Sequence, residues 1–185
     1  MGRRTTATVA ALAGALVVAT GCGSTNGGTA TPATTTDKAK ATAALWDPCT
    51  QISDSVLRQV GVEPSTRNNT ISGVENIEGW KLCSWNDQPV RANYNLGVWS
   101  TTHTIDESKR DGNNVDFTAI SIAGREGLRF RRAYDSDEEV CYLSFPSNGQ
   151  TIDISIYKTT LTKDKRNPCV IAAAAAETLV PIFPN

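Results

Sequence analysis

His103 is the single histidine of the chain. Any Ser-His-Asp or Cys-His catalytic arrangement would have to use it. It sits in Thr101-Thr102-His103-Thr104 at the end of an expected strand, and no Gly-x-Ser-x-Gly nucleophile turn occurs in the sequence. The plain reading is a strand-end surface histidine, so no catalytic residue is expected. Asp135-Ser136-Asp137-Glu138-Glu139 offers alternating carboxylates for a divalent cation, but it lacks the spacing and the glycine of a calcium loop. It reads as a solvated hairpin turn. Arg129, Arg131 and Arg132 form a basic patch beside it, suited to an anionic surface such as lipid headgroups or wall polymers, or simply to pairing with the nearby acids. Trp80, Trp85, Trp99 and Tyr94 would line a ligand groove if they shared a face; packing beside disulfides in a small core is the commoner use of such residues.

The remaining reactive groups are five cysteines, at 22, 49, 83, 141 and 169. Cys22 stands apart. Arg3 and Arg4 precede an uncharged Ala- and Val-rich run from Ala7 to Ala19, and Ala19-Thr20-Gly21 leads into Cys22. A positive start, a short apolar run and small residues at the cut are the parts of a secretory signal. The run is shorter than the ~20 residues a spanning helix needs. Small residues directly before a cysteine resemble the bacterial lipobox. That resemblance implies a signal peptide over residues 1–21 and a diacylglyceryl group on the Cys22 thiol. Two or more acyl chains hold a protein stably where one does not. Lipidation also resolves the odd cysteine count, leaving four thiols for two disulfides. Three pairings are possible. Cys49–Cys83 with Cys141–Cys169 is favoured, because each bond would tie an Asx-Pro-Cys helix start to a strand. A zinc site is disfavoured, since no Cys-x-x-Cys pair is present and an exported chain meets an oxidising compartment. No metal and no cofactor are expected.

The elements that must hold these residues follow from local pattern. Residues 22–44, after the lipidated cysteine, are rich in Thr, Gly and Ala and contain no aromatic residue, Leu, Ile or Val. Such a segment buries too little apolar surface to offset its ordering entropy, and it is expected to be a flexible stalk with a root-mean-square reach of roughly 25 Å. Residues 45–185 then make one domain. Asp47 as N-cap and Pro48 in the first turn predict a helix running to Gly61, with Ile52, Val56, Leu57 and Val60 near one face. Asn167 and Pro168 repeat the device before an Ala-rich helix that Pro181 stops. Between them the signals are strands: strict alternation over 151–156 with one core and one solvent face, alternation over 92–98, and an all-apolar 140–145 joined to 151 by a turn at Ser147-Asn148-Gly149. Weaker strands are expected at 80–85, 115–122 and 128–134, and a short helix or loop at 106–114. The sum is an α+β domain, an antiparallel sheet flanked by N- and C-terminal helices and closed by two disulfides.

Trp46-Asp47-Pro48-Cys49, Gly79-Trp80-Lys81-Leu82-Cys83-Ser84-Trp85, Val140-Cys141-Tyr142-Leu143 and Asn167-Pro168-Cys169 lie behind a lipobox and a Thr-rich stalk. Together they resemble the actinobacterial lipoproteins grouped as domain of unknown function 3558, over most of residues 45–180. The resemblance implies a lipidated extracytoplasmic domain at the cell membrane and brings no catalytic residue with it. Charged residues make up 20% of the chain and the net charge is −1, a balance that argues against a nucleic-acid partner. A non-enzymatic binding or accessory module is therefore expected, anchored to the membrane through Cys22, with an envelope protein, lipid or wall component as partner. An envelope-acting hydrolase or transferase, or a lipid carrier, is the alternative.

Overall fold

The computed structural model describes residues 35–71 and 73–185. The signal segment, Cys22 and residues 23–34 of the expected stalk lie outside the described residues. In chain order the elements are α1 (Thr35–Ala43), α2 (Pro48–Gln51), α3 (Asp54–Gln59), β1 (Trp80–Asn86), β2 (Tyr94–Thr101), α4 (Ile105–Arg110), β3 (Asn114–Ile122), β4 (Arg125–Arg132), β5 (Val140–Ser147), β6 (Gln150–Lys158) and α5 (Pro168–Leu179). The six strands form one sheet in the order β1-β2-β6-β5-β4-β3, every neighbouring pair antiparallel. This is the expected α+β architecture.

Two turns fix the register of the outer half. Asn148 and Gly149 both take positive φ, 45° and 74°, and Ser147 pairs with Gln150 across them. Ala123 and Gly124 do the same at 50° and 78°, with Ile122 paired to Arg125. Two consecutive left-handed residues give the turn whose twist matches that of the flanking strands. β6 enters the middle of the sheet because its Ile152, Ile154 and Ile156 are all fully buried and require neighbours on both sides.

One face of the sheet carries the core. Trp85, Leu96, Val98, Leu143, Phe145 and the three β6 isoleucines pack beneath α5, which meets them through Ile171, Ala172, Ala175, Ala176 and Leu179. Each fully buried large apolar side chain is worth about 1.5–3 kcal/mol relative to exposure. The alanines of α5 let its backbone lie close to the strands. The helix starts as the sequence predicts: Asn167 accepts from the Cys169 N–H at 2.9 Å, and Asp47 accepts from the Cys49 N–H at 3.0 Å. Each start is bonded to a strand, by Cys49–Cys83 and Cys141–Cys169, with Cα–Cα 5.1 Å in both. The favoured pairing is the observed one.

Three expectations need correction. The helix expected from Pro48 to Gly61 is two short helices, because Ile52 is extended and the Ser53 hydroxyl caps α3 by accepting from Val56 N–H. A serine side chain competes with the continuing helix for backbone partners, and here the cap wins. Gly61, at φ 84°, closes α3: its N–H donates to Arg58 C=O while Val62 N–H reaches back to Leu57 C=O. Residues 35–43, expected as part of the flexible stalk, are helical instead. Ala and Lys favour helix, and the end of α1 is held to β1. Thr42 Oγ1 accepts from Gly79 N–H at 2.7 Å, and Lys81 Nζ donates to the carbonyls of Ala43 and Leu45. Finally, the second face of β6 does not simply meet solvent. Ser155 and Thr151 on it are buried, and Asp153 between them is largely enclosed.

Candidate functional site

The enclosure of that second face is the notable feature of the molecule. Register places Trp99 of β2, Asp153 of β6 and Ser144 of β5 side by side, and the next row holds Gly97, Ser155 and Tyr142. Small residues at 97, 144 and 155 leave a depression at the centre of the sheet. Trp99 folds over Gly97 and its indole N–H donates to Ser155 Oγ at 2.9 Å. A Cβ on residue 97 would meet Ser155 Oγ at 2.5 Å and Trp99 Nε1 at 2.7 Å, so glycine is required by this close approach.

Aromatic walls rise on both sides of the depression. On one side Trp80 meets Trp99 edge to face at 6.2 Å, and the His103 ring lies 5.5 Å from Trp80. On the other, Phe117, Phe130 and Tyr142 stack in sequence at 5.6 and 5.1 Å, and Tyr157 closes the row edge-on at 5.7 Å. Phe117 joins the row through a bulge between Val115 and Thr118, where Asp116 takes φ 57°. Helix α4 stands at the rim. Thr104 and Glu107 cap it reciprocally, and Asn114 Nδ2 ties it to β3 by donating to the Ser108 carbonyl at 3.0 Å. The resulting cleft has a volume of about 470 Å³, within the ~300–1,000 Å³ usual for small-molecule sites.

Asp153 and Arg132 face this space from the sheet, and the carboxylates of Glu107 and Asp111 stand at its rim. The Asp153 carboxylate accepts from the Ser144 hydroxyl through Oδ1. Burial pushes its pKa up to about 6, against smaller opposing effects of the Ser144 hydrogen bond and of Arg132. The Arg132 guanidinium lies 5.2 Å from the Tyr142 ring centre and donates to the Tyr134 hydroxyl at 2.8 Å. Among the described residues neither Asp153 nor Arg132 takes part in an ion pair. The hydroxyls of Tyr142 and Tyr157 hydrogen-bond to each other. Burial raises both pKa values, so both stay protonated and neutral.

The residues singled out by sequence are dispersed. His103 is an exposed rim residue whose Nδ1 lies 3.8 Å from Glu107 Oε2, with no nucleophile beside it. Within the acidic turn, Asp137 pairs with Arg131 at 3.0 Å, and Asp116 pairs with the same arginine at 2.5 Å. Arg129 and Arg131 share the helix-side face of β4, and Arg132 lies on the opposite, open face. The four aromatics divide likewise. Trp80 and Trp99 line the cleft, whereas Trp85 is buried in the core and Tyr94 is buried with its hydroxyl donating to Gly61 C=O at 3.0 Å. Asp153, Phe130 and Tyr142 were not singled out by sequence. Their signal was a carboxylate centred in an isoleucine strand, opposite a strand with both faces apolar. Among the described residues no helix is long and apolar enough to cross a membrane.

Fold and site together define a disulfide-stapled α+β domain with a closed core on one side of its sheet and an aromatic cleft on the other. The chain belongs to the family described as protein of unknown function (DUF3558), whose model matches residues 17–181. No curated protein and no solved structure matches it. The two disulfides are consistent with an extracytoplasmic protein.

Proposed function

We propose that this protein is a lipid-anchored binding module of the cell envelope, held at the outer face of the membrane through a diacylglyceryl group on Cys22, with the open-face cleft as its binding site. The observation that carries the reading is a half-buried acid, Asp153, beside a half-buried base, Arg132, in one aromatic cleft, neither engaged in an ion pair among the described residues, with the acid's charge disfavoured by burial. A charged group kept out of water without an ionic partner costs stability, and binding sites are where such groups are retained. The lipobox-like segment before Cys22 and the two disulfides support the address.

The test places a photo-crosslinking residue at His103, on the cleft rim, and at Glu177, on the exposed face of α5, in the lipidated protein in its own membranes. Adducts from position 103 and none from 177 are expected. Equal labelling from both positions, or none from 103, would overturn the assignment of the cleft. Mass spectrometry of the mature N-terminus tests the anchor: an unmodified Cys22, or a retained leader, removes it.

An envelope hydrolase is the second reading. It is favoured by one observation, that Asp153 is held where a carboxyl keeps its proton close to neutrality, as a general acid requires. Of the rim carboxylates, Glu107 is held below its usual range by hydrogen bonds from the backbone and side chain of Thr104, a helix-capping use. Release of product from isolated wall material, abolished in Asp153→Asn, would establish this reading over the first.

A further inference from the structure

Given that the cleft is the binding site, the charges lining it also specify what it takes. We infer that the ligand is a small zwitterion with an apolar body, of amino-acid to dipeptide size, whose ammonium group meets Asp153 and whose carboxylate meets Arg132.

The inference rests on complementarity. A ligand carrying only positive charge would gain Asp153, and Glu107 and Asp111 at the rim, but would leave Arg132 unmatched and lie against it in the same space. A purely anionic ligand would gain Arg132 and face Asp153, with the carboxylates of Glu107 and Asp111 at the rim. A neutral ligand would displace water from both charges and offer neither a charged partner, leaving only their attraction to each other, which does not offset the burial of Asp153. One group of each sign compensates both.

The local geometry suits these partners. Asp153 spends Oδ1 on Ser144, and no hydrogen bond among the described residues uses Oδ2. An ammonium group is a compact donor that a single carboxylate oxygen can accept from. Arg132 is pinned by Tyr142 beneath it and by Tyr134 at Nη1, and no hydrogen bond among the described residues uses its other side-chain N–H groups. A fixed planar fork is the preferred partner of a carboxylate. Beside the two charges the cleft presents the rings of Trp80, Trp99, Phe130 and Tyr142. Trp99 has committed its only N–H to Ser155, and Phe130 stacks on Tyr142. A space of about 470 Å³ open to solvent at the rim admits a body larger than a single small side chain.

The experiment titrates the full lipidated chain in detergent with leucyl-phenylalanine, with the same dipeptide acetylated at its N-terminus, and with its C-terminal amide, read by calorimetry and by tryptophan emission from Trp80 and Trp99. The free dipeptide is expected to bind, and each capped form to bind at least about tenfold more weakly. Asp153→Asn should weaken the free dipeptide to the level of the acetylated form while leaving the acetylated form unchanged. Arg132→Gln should do the same with respect to the amide. This matching keeps the test valid against misfolding, since a variant that fails to fold loses all three ligands alike. Equal affinity for free and capped forms, or no binding of any of them up to about 10 mM, overturns the inference. Binding of N-acetylglucosamine or choline in their place overturns it too, and leaves the binding module standing. Failure of every probe together with the absence of a His103 crosslink removes both.

Discussion

Replacing Asp153 with asparagine should make the protein more stable at alkaline pH, and the size of the gain follows from the cleft. The carboxyl titrates near 3.8 in the unfolded chain and at about 6 in the folded one, with burial as the main cause. At 1.36 kcal/mol for each tenfold change in proton affinity, the folded state carries a penalty of up to about 3 kcal/mol for holding this charge. Below about pH 4 both states are protonated and the penalty vanishes. Between about pH 4 and pH 6 the folded state keeps the proton that the unfolded state releases, so stability falls as pH rises. Above about pH 6 both are ionised and the full penalty is present. Asparagine keeps an oxygen to accept from Ser144 and carries no charge, so it should recover about 1–3 kcal/mol at pH 8 and almost nothing at pH 4. Urea denaturation of both proteins at the two pH values measures this, with the other titrating groups largely cancelling in the difference. In a domain of this size the gain corresponds to a Tm rise of about 2–4 °C per kcal/mol. If the variant is no more stable at pH 8, or if its advantage is the same at pH 4, then the carboxylate is not a buried charge held at a cost, and the case for the cleft as a site falls with it.

Three further outcomes are expected. Removing Cys141–Cys169 by paired Cys-to-Ala changes should lower unfolding stability by about 3–4 kcal/mol, as the chain-entropy relation gives for a closed loop of this length, read by denaturation of oxidised wild type against the variant. Gly97→Ala should force the Trp99 indole off Ser155, shift tryptophan emission and abolish the His103 crosslink, at a cost of about 1–3 kcal/mol; an unchanged emission maximum would contradict the close approach. Arg125→Ala should release the C-terminal tail, because its guanidinium donates to the carbonyls of Phe183 and Pro184 and to Asn185. Faster amide exchange at Phe183, with α5 unchanged, is the expected signature, for a loss of about 1–2 kcal/mol.

What was legible in the sequence was local. Asp47-Pro48 and Asn167-Pro168 announce helix starts because a cap involves only neighbours along the chain, and Asn148-Gly149 announces a turn for the same reason. The break at Ser53 was hidden because serine serves equally as an interior residue and as a cap, and only the burial of Ile52 in the extended link and of Leu57 on α3 decides between them. The cleft was hidden for a different reason. Trp99 and Asp153 become neighbours only when β6 returns between β2 and β5, a pairing of strands that lie far apart in sequence. Part of the answer was nonetheless available from parity. Trp80 and Trp85 are five residues apart in one strand, as are Tyr94 and Trp99, and an odd separation puts the two on opposite faces. The four aromatics therefore never formed a single groove. The same rule separates Arg132 from Arg129 and Arg131 and leaves it with Phe130 on the open side.

The two faces of the sheet also explain each other. On the core face, aliphatic side chains, a close-lying alanine helix and two disulfides hold the domain together. On the open face, a carboxylate is buried with a single hydroxyl donor and an arginine rests on an aromatic ring without an acid to pair with. The carboxylate costs the fold stability, and a neutral residue that still accepts from Ser144 would hold its place at lower cost. A domain whose helix starts are covalently tied to the sheet can carry such groups without unfolding. The energetic asymmetry thus points in one direction: the apolar core lies where the helices cover the sheet, and the carboxylate that costs stability lies where a ligand could cover it.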